Sequence, residues 1–107
     1  MNRSLSDMQK EVDTYISQFK TGYFSPLANL ARLTEEVGEL AREINHYHGE
    51  KKKKASEAEN TIEVELGDNL FVLLCLANSL NIDMTKSFNQ TMKKFNKRDK
   101  NRFERKT

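Results

Sequence analysis

Apolar residues recur at alternating steps of three and four along most of this chain, and that spacing commits it to helices. Leu5, Met8, Val12, Tyr15 and Phe19 form one series. Leu30, Leu33, Val37, Leu40, Ile44 and Tyr47 form a second, and Met84, Phe88, Met92 and Phe95 a third. At about 100° of turn per residue each series becomes a single stripe on one helix face, whereas a strand would bury every second residue. One proline and four glycines leave too little turn punctuation for a sandwich or barrel of short strands. The expected fold is all-α, with four helices.

Start and stop signals set the boundaries. Ser4-Leu5-Ser6-Asp7 has the form of a capping box and opens a first helix predicted over 4–19, which Thr21-Gly22-Tyr23-Phe24 ends. Ser25-Pro26 opens the second: the serine can cap, and proline at the first helical position gives up no bond it would have made. That helix runs to His48, before Gly49, and is roughly 35 Å long. Lys51-Lys52-Lys53-Lys54 repel one another and are expected in a mobile loop over 50–55. A third helix is predicted over 56–80. Its second half, Leu70 to Ala77, is apolar all round, as in a helix covered on most sides. Four helices in 107 residues can hardly enclose one of their own, so the bundle is expected to be completed by dimerisation. Asp83 is the expected cap of the fourth helix. Residues 1–98 then make one domain, and 99–107 a charged, disordered tail.

Several classes fall away at once. No run approaches the roughly 18 apolar residues of a membrane span, and the N-terminal residues lead into no apolar leader segment. The single Cys75 excludes a disulfide scaffold and, deep in an apolar stretch, reads as an inert core thiol. The expectation is a cytoplasmic protein with no membrane partner. The net charge of +2 hides an asymmetry: residues 1–83 carry nine basic and fourteen acidic side chains, residues 84–107 nine basic and two acidic. An acidic body with a basic end suits either nucleic-acid binding through the end or a divalent metal in the body facing an anionic substrate.

Two acidic motifs favour the metal. In Glu35-Glu36-Val37-Gly38-Glu39, Glu36 and Glu39 stand one helical turn apart, within reach of one cation; Glu36 flanks the apolar stripe while Glu35 points well away from it. In Glu65-Leu66-Gly67-Asp68 the same spacing recurs, on a face that Val72 and Leu76 continue. Each pair alone also reads as a solvated acidic face. Together they offer four oxygen donors across a bundle interior, a set that suits Mg²⁺ or Mn²⁺. Glu43-Ile44-Asn45-His46 is a single Glu-x-x-His, where a redox di-iron bundle needs two. His46 and His48 read as helix-end residues, candidates for a pocket rim.

The ordered set Glu-Glu-x-x-Glu at 35–39, Glu-x-x-Asp at 65–68 and Lys94-Phe95-Asn96-Lys97-Arg98 resembles the signature of MazG-like nucleotide pyrophosphohydrolases, and the likeness covers roughly residues 5–98. Pro26-Leu27-Ala28-Asn29-Leu30 before the first motif and Asn69-Leu70-Phe71 after the second strengthen it. The resemblance implies a MazG-like four-helix bundle with helices of two subunits packed together, as a homodimer or homotetramer. It implies Mg²⁺-dependent hydrolysis of a nucleoside triphosphate to monophosphate and pyrophosphate, in a role such as clearing non-standard or excess nucleotides. By motif position Glu36, Glu39, Glu65 and Asp68 would hold the metal, and Glu35 and Glu36 would be catalytic, Glu35 orienting or deprotonating the attacking water. Asn29, Asn69, Lys94 and Arg98 would bind substrate, the last two at the phosphates. The tryptophan that several relatives use for base stacking is absent, leaving His46 or Tyr47 to stand in. The competing expectation is a non-enzymatic module holding nucleic acid or a partner protein through the basic end. Only Phe95 and Phe103 lie there to stack on bases.

Overall fold

A computed structural model of the chain describes residues 2–49 and 61–106. Among these the fold is all-α: α1 (Leu5–Ile16), α2 (Pro26–His48), α3 (Ile62–Ser79) and α4 (Met84–Arg98). Each helix starts where a side-chain oxygen meets a free backbone N–H. The Ser4 hydroxyl accepts from the Asp7 N–H and the Asp7 carboxylate from the Ser4 N–H, both at 3.0 Å, closing the capping box. Ser25 accepts from the Ala28 N–H ahead of α2, with Pro26 in its first turn. Asp83 accepts from the N–H groups of Thr85 and Lys86. The Ser6 hydroxyl bond to Asp83, then these backbone bonds, hold its carboxyl below the usual carboxylate range.

Two boundaries differ from those expected. α1 ends at Ile16, not at residue 19; the chain then turns through Phe19 N–H to Ile16 C=O and Gly22 N–H to Phe19 C=O, and Gly22 takes φ +64°, where a side chain would strain. α3 begins at Ile62, where extended Thr61 turns its hydroxyl onto the Val64 N–H at 3.0 Å; the start expected at Ser56 lies outside the described residues. The lysine loop expected over 50–55 lies outside the described residues. Beyond α4, residues 99–103 continue in turns and bends, with Asp99 paired to Arg98 and Arg102.

α3 is the hub, packed against α2 on one side and α1 on another. A small core of Val12, Leu74 and Cys75 is extended by Leu5, Met8, Ile16, Tyr23, Phe71 and Met84. Buried Gln9 staples three elements: its Nε2 donates to Asn78 Oδ1 (2.9 Å) and to the Ile82 carbonyl (2.7 Å), while its Oε1 accepts from the Met84 N–H at 2.8 Å. Between α3 and α4, Asn81 takes φ 58°, which asparagine tolerates, and Ile82 N–H returns to the Ala77 carbonyl. Removing the staple strands three polar groups, so Gln9→Ala should lower unfolding free energy by about 2–3 kcal/mol in a urea titration; a loss below about 0.5 kcal/mol would show that water replaces it.

The α1 stripe joins the core through Leu5, Met8 and Val12, but the stripes of α2 and α4 do not do so within one chain. On α2 the buried residues are Asn29 and Glu43, whereas Leu30, Val37, Ile44 and Tyr47 of the apolar stripe are exposed. α4 buries no residue; Phe88 and Met92 face out, and the start of the helix is bonded to α1 at Met84 and Thr85. Nor is the apolar half of α3 covered all round, since Leu70 and Leu73 are exposed. The radius of gyration, 17.5 Å, exceeds the roughly 13 Å of a compact chain of this length. Periodicity locates a stripe correctly but does not say which chain covers it. No helix among the described residues is long and apolar enough to cross a membrane.

Candidate metal centre

Where α2 and α3 pack together, the seam is acidic. One carboxylate oxygen from each of Glu36, Glu65 and Asp68 lies within 4.8 Å of the others. Glu65 is 2% exposed, Glu36 is half-buried and Asp68 is exposed, so the cluster is closed at one end and open to solvent at the other. Oε2 of Glu36 and Oε2 of Glu65 are buried without a hydrogen-bond partner among the described residues. Burial, then the charges of Glu39 and Asp68, push both carboxyls above their ordinary range; Arg32 pulls Glu36 the other way.

This donor set fits a divalent cation. Two buried carboxylate oxygens with no donor are costly, and a cation removes both the desolvation and the repulsion. Three carboxylate oxygens within 4.8 Å of one another could converge on one divalent ion by side-chain rotation, and Glu36, Glu65 and Asp68 would be the residues to hold it. The backbone beneath is fixed: Asn69 Nδ2 donates to the carbonyls of Glu36 (3.1 Å) and Glu65 (2.7 Å), tying α2 to α3 at the cluster.

The structure thus gathers three of the four expected metal residues, with Glu39 near enough to act on Glu36 and Glu65. Glu35 is exposed. Asn69 uses both bonds of its amide nitrogen on the backbone, and its Oδ1 is buried without a partner among the described residues. Asn29, 1% exposed, donates to the Phe24 carbonyl at 3.0 Å. Lys94 and Arg98 are not part of the cluster in this chain. Both lie against the Phe95 ring, 5.0 and 4.5 Å from its centroid, and Arg98 binds Asp99 at 2.9 Å.

Two residues outside the paired acidic motifs belong to this region. Glu43, read above only as half of a single Glu-x-x-His, lies one turn beyond Glu39, is buried in the same seam beside His46 and adds to the field on Glu65. Its signal was present, since 36, 39 and 43 step by three and four as the apolar stripe does. Arg32, one turn before Glu36, lies 5.8 Å from the Phe71 ring centroid.

Beside the cluster opens a cavity of about 580 Å³, walled by Tyr15, Phe19, Tyr23, Phe24 and Phe71, with Asn29, Arg32 and Cys75 also lining it. Neither His46 nor His48 lines it. Burial raises the Cys75 thiol, in keeping with an inert core group. The Tyr23 hydroxyl donates to Asp13 (2.8 Å) and accepts from Asn78 (2.9 Å); burial and the Asp13 bond push it up to about 12, so it stays protonated.

Comparison with known proteins places the chain among relatives. The chain is 60% identical over 105 residues to YpjD of Bacillus subtilis strain 168, covering 98% of this chain and 95% of that one. The crystal structure of YPJD from Bacillus subtilis superposes with a TM-score of 0.80 at 59% identity, over 90% of this chain and 98% of that one. A second crystal structure, of the Bacillus-conserved MazG protein, a nucleotide pyrophosphohydrolase, gives a TM-score of 0.77 at 60% identity, over 90% and 93% of the two chains. Residues 24–103, which carry all three motifs, match the MazG nucleotide pyrophosphohydrolase domain, and the chain belongs to that family.

Proposed function

We propose that this protein hydrolyses a nucleoside triphosphate to the monophosphate and pyrophosphate, with Mg²⁺ held by Glu36, Glu39, Glu65 and Asp68. The observation that carries the reading is the pair of buried, unpartnered carboxylate oxygens on Glu36 and Glu65, next to an aromatic cavity of nucleoside size. A bound divalent cation would supply charge neutralisation on the phosphate oxygens and a more acidic water.

The chain's own residues do the rest. Phe19, Tyr23, Phe24 and Phe71 line the cavity with aromatic rings for the base, and buried Asn29 adds a polar group to the wall. Seating the nucleoside there turns the triphosphate toward the open, Asp68 end of the cluster. Phosphoryl transfer depends mainly on such positioning and on electrostatics. Glu35 takes the proton of the attacking water from the solvent side, and Lys94 and Arg98 reach the phosphates from a second copy, since α4 of the same chain packs against α1.

A second copy is also what covers the outer stripe. Leu27 is 77% exposed and Val37 50%, and Leu30, Ile44 and Tyr47 extend the same apolar surface along α2. A patch of that kind on a small protein marks an interface. We therefore propose a homo-oligomer.

Pyrophosphate release from a panel of ribo- and deoxyribonucleoside triphosphates tests the activity. Mg²⁺ should support monophosphate production from at least one of them, and EDTA should abolish it. Silence across the panel, with no metal bound in calorimetry, would overturn both the reaction and the metal centre.

A further inference from the structure

We propose that Arg32 is a phosphate-binding residue of this site, taking the α-phosphate of a nucleoside triphosphate between the aromatic cavity and the carboxylate cluster. The inference rests on the pyrophosphohydrolase reading and adds a contact that the acidic motifs do not contain. Arg32 stands on α2 one turn after Asn29 and one turn before Glu36, lines the cavity and is half-buried. Its guanidinium is held by cation–π attraction 5.8 Å from the Phe71 ring centroid, and it makes no hydrogen bond or ion pair with any described residue.

A guanidinium carries five N–H donors in a planar fork that matches two phosphate oxygens. The ring that holds the guanidinium does not use those donors, so they stay available on the cavity wall. The nearby cluster feels the charge of Arg32 at Glu36, yet no carboxylate closes onto it. An anion arriving between the cavity and the cluster would meet the open fork. For a nucleotide whose base lies among the aromatic rings, the phosphate at that place is the one joined to the sugar. Lysine would keep the charge but lose the fork.

The test is binding of α,β-methylene analogues of ATP, GTP, CTP and UTP, and of the matching nucleosides, to the wild-type protein, Arg32→Ala and Arg32→Lys, each with Mg²⁺. Arg32→Ala should weaken the best-bound analogue at least 10-fold and leave the nucleoside within twofold. Arg32→Lys should recover part of the loss. Mn²⁺ affinity without nucleotide should be equal or tighter in Arg32→Ala, which removes a cation beside the cluster and leaves the carboxylates in place. Analogue affinity within twofold of wild type, an equal loss for analogue and nucleoside, or no analogue bound by the wild type would each overturn the proposal. A wild type that binds analogues through Arg32 yet cleaves no triphosphate would sustain the phosphate contact and remove the hydrolysis.

Discussion

Glu65→Gln should abolish pyrophosphate release while making the metal-free protein more stable. The first half follows from losing an oxygen donor at the closed end of the cluster, with an expected fall in turnover of at least about 10³-fold. The second follows from what surrounds Glu65. It is buried, and Glu39, Asp68, Glu36 and Glu43 all act to keep it protonated. Glutamine keeps the shape and removes the charge. In EDTA at pH 8 the melting temperature should rise by about 5 °C, the equivalent of roughly 1 kcal/mol in a domain of this size.

A pH series checks the same physics. Glu36 and Glu65 have folded-state pKa values above their unfolded ones, so the folded state binds more protons and the metal-free wild type loses stability as pH rises through the carboxylate range toward those raised values. Glu65→Gln should flatten that slope, and Mg²⁺ should reverse it in the wild type only. A variant that turns over normally, or whose metal-free form melts lower than wild type, would remove Glu65 from the metal centre.

Val37→Glu should break the oligomer and with it the activity. Val37 sits in the middle of the α2 stripe, about 100° around the helix from Glu36, and is half exposed in the single chain. A stable interface needs upwards of roughly 1,000 Å² in total, and the α2 stripe, with exposed Leu66, Leu70 and Leu73 of α3, provides the apolar surface from which to build it. A carboxylate introduced there without a partner would cost several kcal/mol on burial, enough to shift association by more than 10²-fold. Sedimentation equilibrium at micromolar concentration should show an oligomeric wild type and a monomeric variant. A wild type that sediments as a monomer would refute the second copy.

The starts of α1, α2 and α4 could be read from the chain because caps are local: Ser4, Ser25 and Asp83 each act on an N–H two or three residues away, whereas the Thr61 cap of α3 went unread. The end of α1 could not, because Phe19 keeps the apolar spacing after the backbone has turned, its ring lying edge-on to Tyr15 at 5.4 Å. The metal residues were visible as paired carboxylates, but the burial of Glu43 was not. Hydrophobic periodicity assigns the apolar stripe of α2 to the core, and the polar line packs against α3 instead. That choice depends on how two helices pair, which spacing within one helix does not encode. Arg32 was missed for a related reason: its place is defined by Phe71 and the cavity, both remote in sequence.

The two bonds from Asn69 to the backbones of Glu36 and Glu65 also bear on speed. Because they lock the ligand-bearing helices in register before any ion arrives, loading the site requires only side-chain rotations, which take pico- to nanoseconds, and no sliding of one helix past another. Cation exchange should then be limited by how fast the ion sheds its own water, so Mn²⁺ would enter faster than Mg²⁺, which dehydrates reluctantly.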